Sequence, residues 1–452
     1  MRATRVPAEI LAGAGLPQAD TQAWAASAPG RQESLRAAAG ALSRFLGQGQ
    51  DLVRRLPAPA GCTAAERAAR NAISATMTRA REAFLADHAA DLYAMLTARY
   101  TRWLRVEELM DAAAAAVPGL VPSPAELAAE RSRALPDKEG IELAQGLLAA
   151  HVLALRQPGR HLLEAMLRPL PAAAEHLGGL RATGRADLGP VRVTREGRAG
   201  ILELSNPRHL NAEDETTLTA TECAVDLILL DPGIEVGVLR GGVVQHPRYQ
   251  GQRVFGSGIN LTHLYQGRIG YLFYLVRDMG YVSKIYRGVR TGAGPADRDG
   301  IEKLWIAAVE QFAIGGACQL LHVADHVIAV RGSRFFLPAR KEGIIPGASN
   351  LRLPRFVGDR AARQAILSGR EWTAGEPDAA LLCDEVVEPG GMDRALAGRV
   401  VALTNSGLVN AAANRRTLRA GQEPLELFRE YMAVFAREQA HCHLSPALVR
   451  NL

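Results

Sequence analysis

The chain has 452 residues, of which 48% are apolar and 22% are charged. This length and balance exclude a disordered or fibrous protein and allow two or more packed units. The 53 basic and 47 acidic residues leave a formal charge of +6, and a small excess spread over so long a chain is typical of solvated surface. Because there is no dense basic run, no nucleic-acid partner is expected.

The cysteines are widely separated and form no C-x-x-C pair; they are Cys62, Cys223, Cys318, Cys383 and Cys442. This pattern favours reduced thiols in a cytoplasmic protein over a disulfide framework or a zinc site. No apolar run approaches the roughly 18 residues that a membrane span needs, and the N-terminal residues do not form a signal peptide. The sequence therefore predicts a cytoplasmic protein with no metal site and no membrane contact.

Residues 1–187 are predicted to form a helical N-terminal domain, because they are rich in Ala, Leu, Arg and Glu. The segment 63–100 has apolar residues at helical spacing, and Thr63 with Glu66 forms a capping-box pattern, so one long helix or two in line are expected. Prolines divide the region into about six helices. No residues here indicate chemistry, and we expect a helical cap or an oligomer surface.

Residues 188–390 have a different pattern, in which strands and helices alternate. Segment 190–207 contains two short alternating runs joined by Gly197 and predicts a β-hairpin. A helix over 211–231 and buried strands over 235–243 and 303–310 are expected to follow, which predicts an α/β layered core. Residues 391–452 contain long amphipathic stretches and predict a helical C-terminal region suited to oligomer contacts.

Two glycine-rich turns follow the predicted strands, FGSGINL at 255–261 and FAIGGACQ at 312–319. Glycines free backbone N–H groups in such turns. If the chain brings the two turns to one point, their N–H groups form an oxyanion hole that stabilises negative charge on a thioester oxygen. A single glycine turn is weak evidence, since most such turns only reverse the chain.

These turns, together with three further motifs in the same order, resemble the crotonase (enoyl-CoA hydratase/isomerase) superfamily. The other motifs are SNPRHLNA at 205–212, EGIIPGAS at 342–349 and AILSGREWTAGEPDAALLCDEVV at 365–387. The resemblance covers about residues 188 to 400. It implies an α/β fold with a crotonase-like spiral core of ββα units that binds an acyl-CoA.

By position, the resemblance implies that the N–H groups of Ile259 and Gly316 are the two oxyanion donors. It also implies that Arg208 and His209 contact coenzyme A, although a proline turn capped by Asn211 would explain that loop equally well. Asn260 matches the polar position of the first motif and is expected to bind the substrate.

The chain departs from the family at both positions where hydratases carry a catalytic glutamate. The first is Gln319, which cannot exchange a proton near neutral pH, and the second is Ala339. Adding water across a double bond needs an acid and a base, so hydratase activity is not expected. Gln319 would instead contact the substrate or oxygen as a neutral hydrogen-bonding group.

Glu213 is a third departure, since the family usually has an apolar residue there. It either favours the helix N-terminus electrostatically, as Asp214 and Glu215 would, or accepts a hydrogen bond from a hydroxyl of the acyl group. Arg277 lies in the predicted helix 268–290. It is either a surface residue, or it orients a phenolic ring or pairs with Glu213. The aromatic residues of that helix are expected to pack in the core.

The departures and the helical extension resemble one branch of the superfamily, the cofactor-independent arylacetyl-CoA dioxygenases of glycopeptide-antibiotic biosynthesis. That resemblance implies a reaction of an acyl-CoA with O2, without metal or flavin, in a trimer or hexamer. Two alternatives stay open. One is another crotonase-fold acyl-CoA enzyme, such as a thioester hydrolase, isomerase or decarboxylase, and the other is a non-catalytic RNA-binding protein of the same fold.

Overall fold

The computed structural model describes residues 8–292, 300–405, 408–443 and 445–451. The chain forms two compact units. The first contains 1–162, 265–272 and 432–449, and the second contains 163–264, 273–431 and 450–452. The predicted division into 1–187, 188–390 and 391–452 follows the sequence alone and stays a proposal. Within the described residues, no helix combines the length and apolar character needed to cross a membrane.

Nine α-helices precede the first strand in the described part of the chain. They are α1 (Ala8–Gly13), α2 (Gln18–Ala26), α3 (Leu35–Arg54), α4 (Ala64–Leu96), α5 (Val106–Ala116), α6 (Pro124–Arg131), α7 (Leu143–Ala154), α8 (Arg156–Met166) and α9 (Pro171–Thr183). The expected number of about six was too low, partly because the extended residue Leu155 alone separates α7 from α8. The capping box is confirmed, since Glu66 N–H donates to Thr63 Oγ1 and Thr63 N–H donates to Glu66 Oε2.

The first unit contains a buried acidic side chain, Glu142, that joins three of its segments. Lys138 Nζ lies 3.0 Å from Glu142 Oε2, and His443 Nε2 lies 3.4 Å from the same oxygen. The N–H of Tyr271 donates to Glu142 Oε1 at 3.2 Å. Although burial acts to raise it, His443 and Lys138 bring the pKa of Glu142 down to about 2. The carboxylate is therefore ionised at neutral pH and holds the segments electrostatically.

A seven-stranded sheet forms the centre of the second unit, in the order β1-β2-β3-β4-β7-β9-β12. Its strands are β1 (Arg185–Asp187), β2 (Val191–Glu196), β3 (Ala199–Leu204), β4 (Val236–Gly241), β7 (Leu304–Val309), β9 (His326–Val330) and β12 (Glu385–Val387). β2 and β3 form the predicted hairpin, and from β3 to β12 all neighbours are parallel. The predicted strands at 235–243 and 303–310 are confirmed as β4 and β7, and the α/β class is confirmed with them.

Two smaller sheets complete the strands. One has the order β11-β10-β8, formed by Glu371–Thr373, Arg334–Phe336 and Phe312–Ile314, and the other pairs β5 (Val289–Arg290) with β6 (Gly300–Ile301). β8 runs parallel to β10 and ends immediately before the second glycine turn. That sheet therefore positions the second turn.

The other helices surround these sheets or follow them in the chain. They are α10 (Glu215–Leu230), α11 (Leu261–Tyr265), α12 (Leu272–Arg277), α13 (Ser283–Arg287), α14 (Gly316–Leu321), α15 (Ala339–Glu342), α16 (Ser349–Ser368), α17 (Met392–Thr404), α18 (Leu408–Gln422), α19 (Leu425–His443) and α20 (Pro446–Asn451). Between α12 and α13, the backbone of Asp278–Val282 forms a π-helical turn. The predicted helix over 268–290 is thus interrupted at its centre.

The core of the second unit lies on both faces of the main sheet. On one face, Val236, Val238 and Ile306 pack with Met392 and Leu396 of α17. On the other face, α10 packs against β2 and β3. Parallel strands covered on both faces are largely apolar, which explains the apolar runs VGVL at 236–239 and LWIAAV at 304–309.

Glu423 holds a second buried ion cluster, which lies in the second unit. Its carboxylate accepts hydrogen bonds from Arg352 at 2.9 and 3.0 Å, from Arg287 at 2.6 Å and from Arg355 at 3.0 Å. Burial opposes the charge, but the three guanidinium groups lower the pKa of Glu423 to about 2. The ionised carboxylate connects α13 and α16 to the segment before α19.

Candidate functional site

The two glycine turns lie against each other in the second unit. Gly256 pairs with Ala313, and a hydrogen bond of 3.0 Å runs from Ile314 N–H to Gly256 C=O. Gly258 has a φ of +82°, and a Cβ at this position would lie 2.9 Å from Ile314 O and 3.0 Å from Gly316 N. Only glycine allows this conformation and this close approach without strain. The backbone on either side of Ile259 and Gly316 is therefore brought to one place.

The N–H groups of Ile259 and Gly316 are available to a ligand. Glu213 and Ile259 pair as residues of neighbouring strands do. In this pairing Glu213 N–H donates to Gly258 C=O and Asn260 N–H donates to Glu213 C=O, so the N–H of Ile259 points away from Glu213. Gly316 is the first residue of α14, where an N–H has no partner within the helix. Neither N–H has a hydrogen-bond partner among the described residues. This is the arrangement that an oxyanion hole requires, and the donor role of each group stays a proposal.

Glu213 and Arg277 form a buried ion pair beside the second turn. Arg277 Nε donates to Glu213 Oε2 at 2.6 Å and Arg277 Nη2 donates to Glu213 Oε1 at 3.2 Å. The hydroxyl of Tyr281 donates to Glu213 Oε1 at 2.6 Å. Glu213 and Arg277 are 5% and 3% exposed, respectively, so Arg277 is not a surface residue. The pairing of these two side chains was one of the alternatives that the sequence left open.

Arg277 also connects the ion pair to the second turn. Its Nη1 donates to Gln319 Oε1 at 2.8 Å, and its Nη2 donates to Gly316 C=O at 2.7 Å. A Cβ at Gly316 would lie 2.6 Å from Glu213 Oε2, so glycine is required for the ion pair to approach the turn. Burial alone would lower the pKa of Arg277, but Glu213, Tyr281 and Asp278 raise it above its ordinary value. The guanidinium is permanently charged.

A cavity is lined by five of the predicted site residues, which are Glu213, Ile259, Arg277, Gly316 and Gln319. The rest of its wall is largely apolar, with Leu337, Ala339, Ile344, Ile345 and Pro346. Gln319 and Ala339 stand where hydratases carry glutamates, and both line this cavity. A thioester oxygen on the two N–H groups would therefore have a charged pair on one side and aliphatic surface on the other.

Arg208, His209 and Asn260 are not among the residues that line the cavity. Arg208 is exposed and His209 is half-buried, on the loop before α10. The hydroxyl of Ser257 in the first turn donates to His209 C=O at 3.1 Å, which places this loop beside the turn. Contact of Arg208 and His209 with coenzyme A stays a proposal.

Asn260 is buried and has partners within the protein. Its Nδ2 donates to Asp214 Oδ2 at 3.0 Å, and its Oδ1 accepts the N–H of His263 at 3.2 Å. These bonds join the first turn to the start of α10 and to α11. The observed contacts suit support of the turn, while direct substrate binding by Asn260 stays an untested prediction.

Tyr281, Asp278 and Glu342 are site residues for which the sequence predicted no functional role. Tyr281 was expected to pack in the core, and only its position four residues after Arg277 could have linked it to Glu213. Asp278 lines the cavity and accepts the N–H of Ala348 at 3.0 Å. Glu342 also lines the cavity. It is the first residue of the motif EGIIPGAS at 342–349, which matched the family through its glycines and proline.

Cysteine chemistry is not favoured at this site. Cys318 lies in α14, two residues after Gly316, and is fully buried. Burial raises the pKa of its thiol to about 12, so the thiolate that a nucleophile requires is not formed near neutral pH. Among the described residues, no group of three or more His, Cys, Asp or Glu side chains is arranged to hold a metal ion.

Residues 196–392 match the family model described as "Enoyl-CoA hydratase/isomerase". The chain is 47% identical over 401 residues to a (3,5-dihydroxyphenyl)acetyl-CoA 1,2-dioxygenase of Amycolatopsis orientalis, covering 88% of this chain and 92% of that relative. It is 30% identical over 198 residues to a probable enoyl-CoA hydratase of Rhizobium meliloti (strain 1021), covering 44% of this chain and 68% of that protein.

A crystal structure of an enoyl-CoA hydratase from Mycobacterium avium subsp. paratuberculosis K-10 is 19% identical in sequence, with a TM-score of 0.49 over 59% of this chain and 98% of that one. The similarity to the Amycolatopsis protein extends over nearly the whole of both chains, including the helical region before the first strand. The family identified from the motifs is therefore confirmed, and the chain belongs to the enoyl-CoA hydratase/isomerase, or crotonase, superfamily.

Proposed function

We propose that this protein is an acyl-CoA dioxygenase that converts 3,5-dihydroxyphenylacetyl-CoA and O2 to 3,5-dihydroxyphenylglyoxylate and CoA. The identity of 47% over 88% of the chain to a relative named for this substrate and reaction type is the observation that carries the proposal. The cavity is consistent with it, because it combines two free N–H groups, a buried polar pair and an aliphatic wall.

The chemistry would begin with the thioester oxygen on the N–H groups of Ile259 and Gly316. These donors lower the cost of removing an α-proton, since the negative charge of the enolate develops on that oxygen. The enolate is electron-rich enough to reduce O2, and recombination gives an α-peroxide. Attack of the peroxide on the thioester carbonyl expels CoA, and the O–O bond breaks as the second α-hydrogen leaves as a proton. The sum consumes one O2 and needs neither metal nor flavin.

Glu213 and Arg277 would recognise the ring hydroxyls. The carboxylate oxygens of Glu213, held by Arg277, can accept a hydrogen bond from a phenol, while Arg277 can donate one. Such bonds would favour the dihydroxylated substrate, because a substrate without the hydroxyls makes none of them while Glu213 and Arg277 stay paired with each other. Gln319 is held by Arg277 and would present its amide to the substrate or to oxygen.

The function is tested by oxygen uptake and CoA release with metal-free protein and 3,5-dihydroxyphenylacetyl-CoA. Stoichiometric O2 consumption and formation of the glyoxylate are expected, and release of CoA without oxygen uptake would point instead to a thioester hydrolase. An absence of oxygen uptake with this substrate would contradict the proposal.

Ring recognition is tested separately with Glu213→Gln. We expect kcat/KM to fall much more for the dihydroxylated substrate than for phenylacetyl-CoA, because only the former has hydroxyls to bind. Tyr281→Phe is the matched control, since it removes one hydrogen bond to Glu213 Oε1 and leaves the charge in place. Equal losses for both substrates in Glu213→Gln would argue that Glu213 serves the fold and not the ring.

A further inference from the structure

Glu342 places a carboxylate in the cavity close to where hydratases carry one. It ends the short helix α15, which begins at Ala339, and both residues line the cavity. Residues three apart lie on the same side of a helix. Hydratases carry a carboxylate at the position of Ala339. Here Glu342 provides a carboxylate one helical turn later, on the same side of α15 and facing the same cavity.

The carboxylate of Glu342 has no hydrogen bond or ion pair to any residue in the part of the chain that the structure describes. The other charged groups of the cavity wall have partners, since Glu213 is bound by Arg277 and Tyr281 and Asp278 accepts the N–H of Ala348. Lys341 is the neighbouring cation and only partly offsets the effect of burial. Burial raises the pKa of Glu342 to about 7.

Asp278 is a further carboxylate of the cavity wall, but it already accepts the N–H of Ala348 and lies 4.0 Å from Arg277 Nη1. The remaining groups near the site are poor bases. Gln319 has no basic atom at neutral pH. Glu213 would have to give up the charge that compensates Arg277, and this is costly in a buried pair. Burial raises the pKa of Tyr281 well above its ordinary value, so its hydroxyl stays protonated. His322, whose pKa burial lowers to about 3, is absent from the cavity wall.

We propose that Glu342 is the base that takes the α-proton of the acyl-CoA held on the N–H groups of Ile259 and Gly316. This inference rests on the proposed function and adds the residue that starts the reaction. The Cα–H bond breaks, its electron pair forms the C=C bond of the enolate, and the thioester C=O electrons move onto the oxygen. The proton moves to a carboxylate oxygen of Glu342. No electron leaves the substrate in this step, so oxygen is not needed for it.

Because the step is independent of oxygen, it is measured as exchange of the α-hydrogens of 3,5-dihydroxyphenylacetyl-CoA with D2O under anaerobic conditions, by mass spectrometry. Glu342→Gln should slow the exchange and aerobic O2 uptake together by about 100-fold or more, the usual contribution of a general base. Glu342→Asp, which keeps a carboxylate on a shorter side chain, should recover part of the loss. Glu376→Gln is the control, because it neutralises an exposed carboxylate on the same unit.

The pH profile gives a readout that a structural role would not change. The ionised carboxylate is the active form, so wild-type exchange should rise with pH through a midpoint near 7 and then level off. Glu342→Gln should lack this rise. A wild-type rate of exchange that does not rise with pH anywhere between acid and neutral conditions overturns the inference without reference to any variant. Exchange in folded Glu342→Gln within about threefold of wild type, far below the usual effect of a lost base, also overturns it.

The outcomes separate this inference from the proposed function. If α-hydrogen exchange depends on Glu342 but the wild-type protein consumes no O2 in air, the assignment of Glu342 as the base stands and the dioxygenase proposal is wrong. If Glu342→Gln still consumes O2, the dioxygenase proposal stands and the assignment of Glu342 as the base is wrong. If wild-type protein neither exchanges α-hydrogens nor consumes oxygen with this substrate, both are wrong.

Discussion

Replacing Gly258 with alanine is expected to damage catalysis far more than folding. The added Cβ would meet Ile314 O at 2.9 Å and Gly316 N at 3.0 Å, so the two turns must move apart. Such a movement would displace at least one of the two proposed donors from the thioester oxygen. Loss of one oxyanion donor costs about 100- to 1,000-fold in kcat, or about 2.7–4 kcal/mol of transition-state stabilisation.

Gly390→Ala is the control that separates the loss of stability caused by alanine at a positive φ from the loss of activity caused by moving the two turns apart. Gly390 has a φ of +83°, matching the +82° of Gly258, but a Cβ there would have no atom within 4 Å. Both variants therefore lose about 1–2 kcal/mol of stability for placing alanine in the left-handed region. Only Gly258→Ala should also lose activity.

The assay is kcat for oxygen uptake together with the melting temperature of each variant. We expect a larger drop in melting temperature for Gly258→Ala than for Gly390→Ala, because only the former must also separate the two turns, and a loss in kcat of at least about 100-fold for Gly258→Ala alone. A Gly258→Ala enzyme that is folded and keeps kcat within about tenfold of wild type would show that these turns do not hold the reacting oxygen, since a lost donor costs more than that.

Two predictions concern stability. Because its pKa is lowered, ionised Glu142 contributes about 3 kcal/mol to the free energy of unfolding above pH 4.5, and this contribution is lost as pH falls toward about 2. The melting temperature of wild-type protein measured against pH should show this loss. Equal sensitivity to acid in Glu142→Gln would contradict the prediction. Glu423→Gln should lower unfolding free energy in denaturant titrations at pH 7 by about 3–5 kcal/mol, because it leaves buried Arg352 uncompensated; an unchanged midpoint would count against this.

Features carried by local sequence could be predicted from it. The positive φ of Gly258, the hairpin around Gly197 and the capping box at Thr63 all depend on residues close together in the chain. Their physical requirements, a positive φ or a side-chain cap, are properties of one short segment. The order of the motifs then indicated the family and with it the sheet.

Features that depend on distant contacts were predicted only in part. The pairing of Glu213 with Arg277 joins residues 64 positions apart, and the sequence offered it only as one alternative. Tyr281 was grouped with core aromatics because its apolar ring and its hydroxyl serve different neighbours, and sequence spacing reveals only the first. Glu342 was missed because its burial arises from segments elsewhere in the chain, and burial is what raises its pKa.

The π-helical turn at Asp278–Val282 has a consequence for how selectivity in this protein could change. It lies where Arg277 and Tyr281 both reach Glu213. Deleting one residue between Arg277 and Tyr281 would change their spacing from four to three and with it the approach of the tyrosine to Glu213. If Glu213 and Arg277 recognise the ring as proposed, chain length in this turn would then affect the choice of acyl group, and libraries that vary only residue identity around the cavity would not sample that determinant.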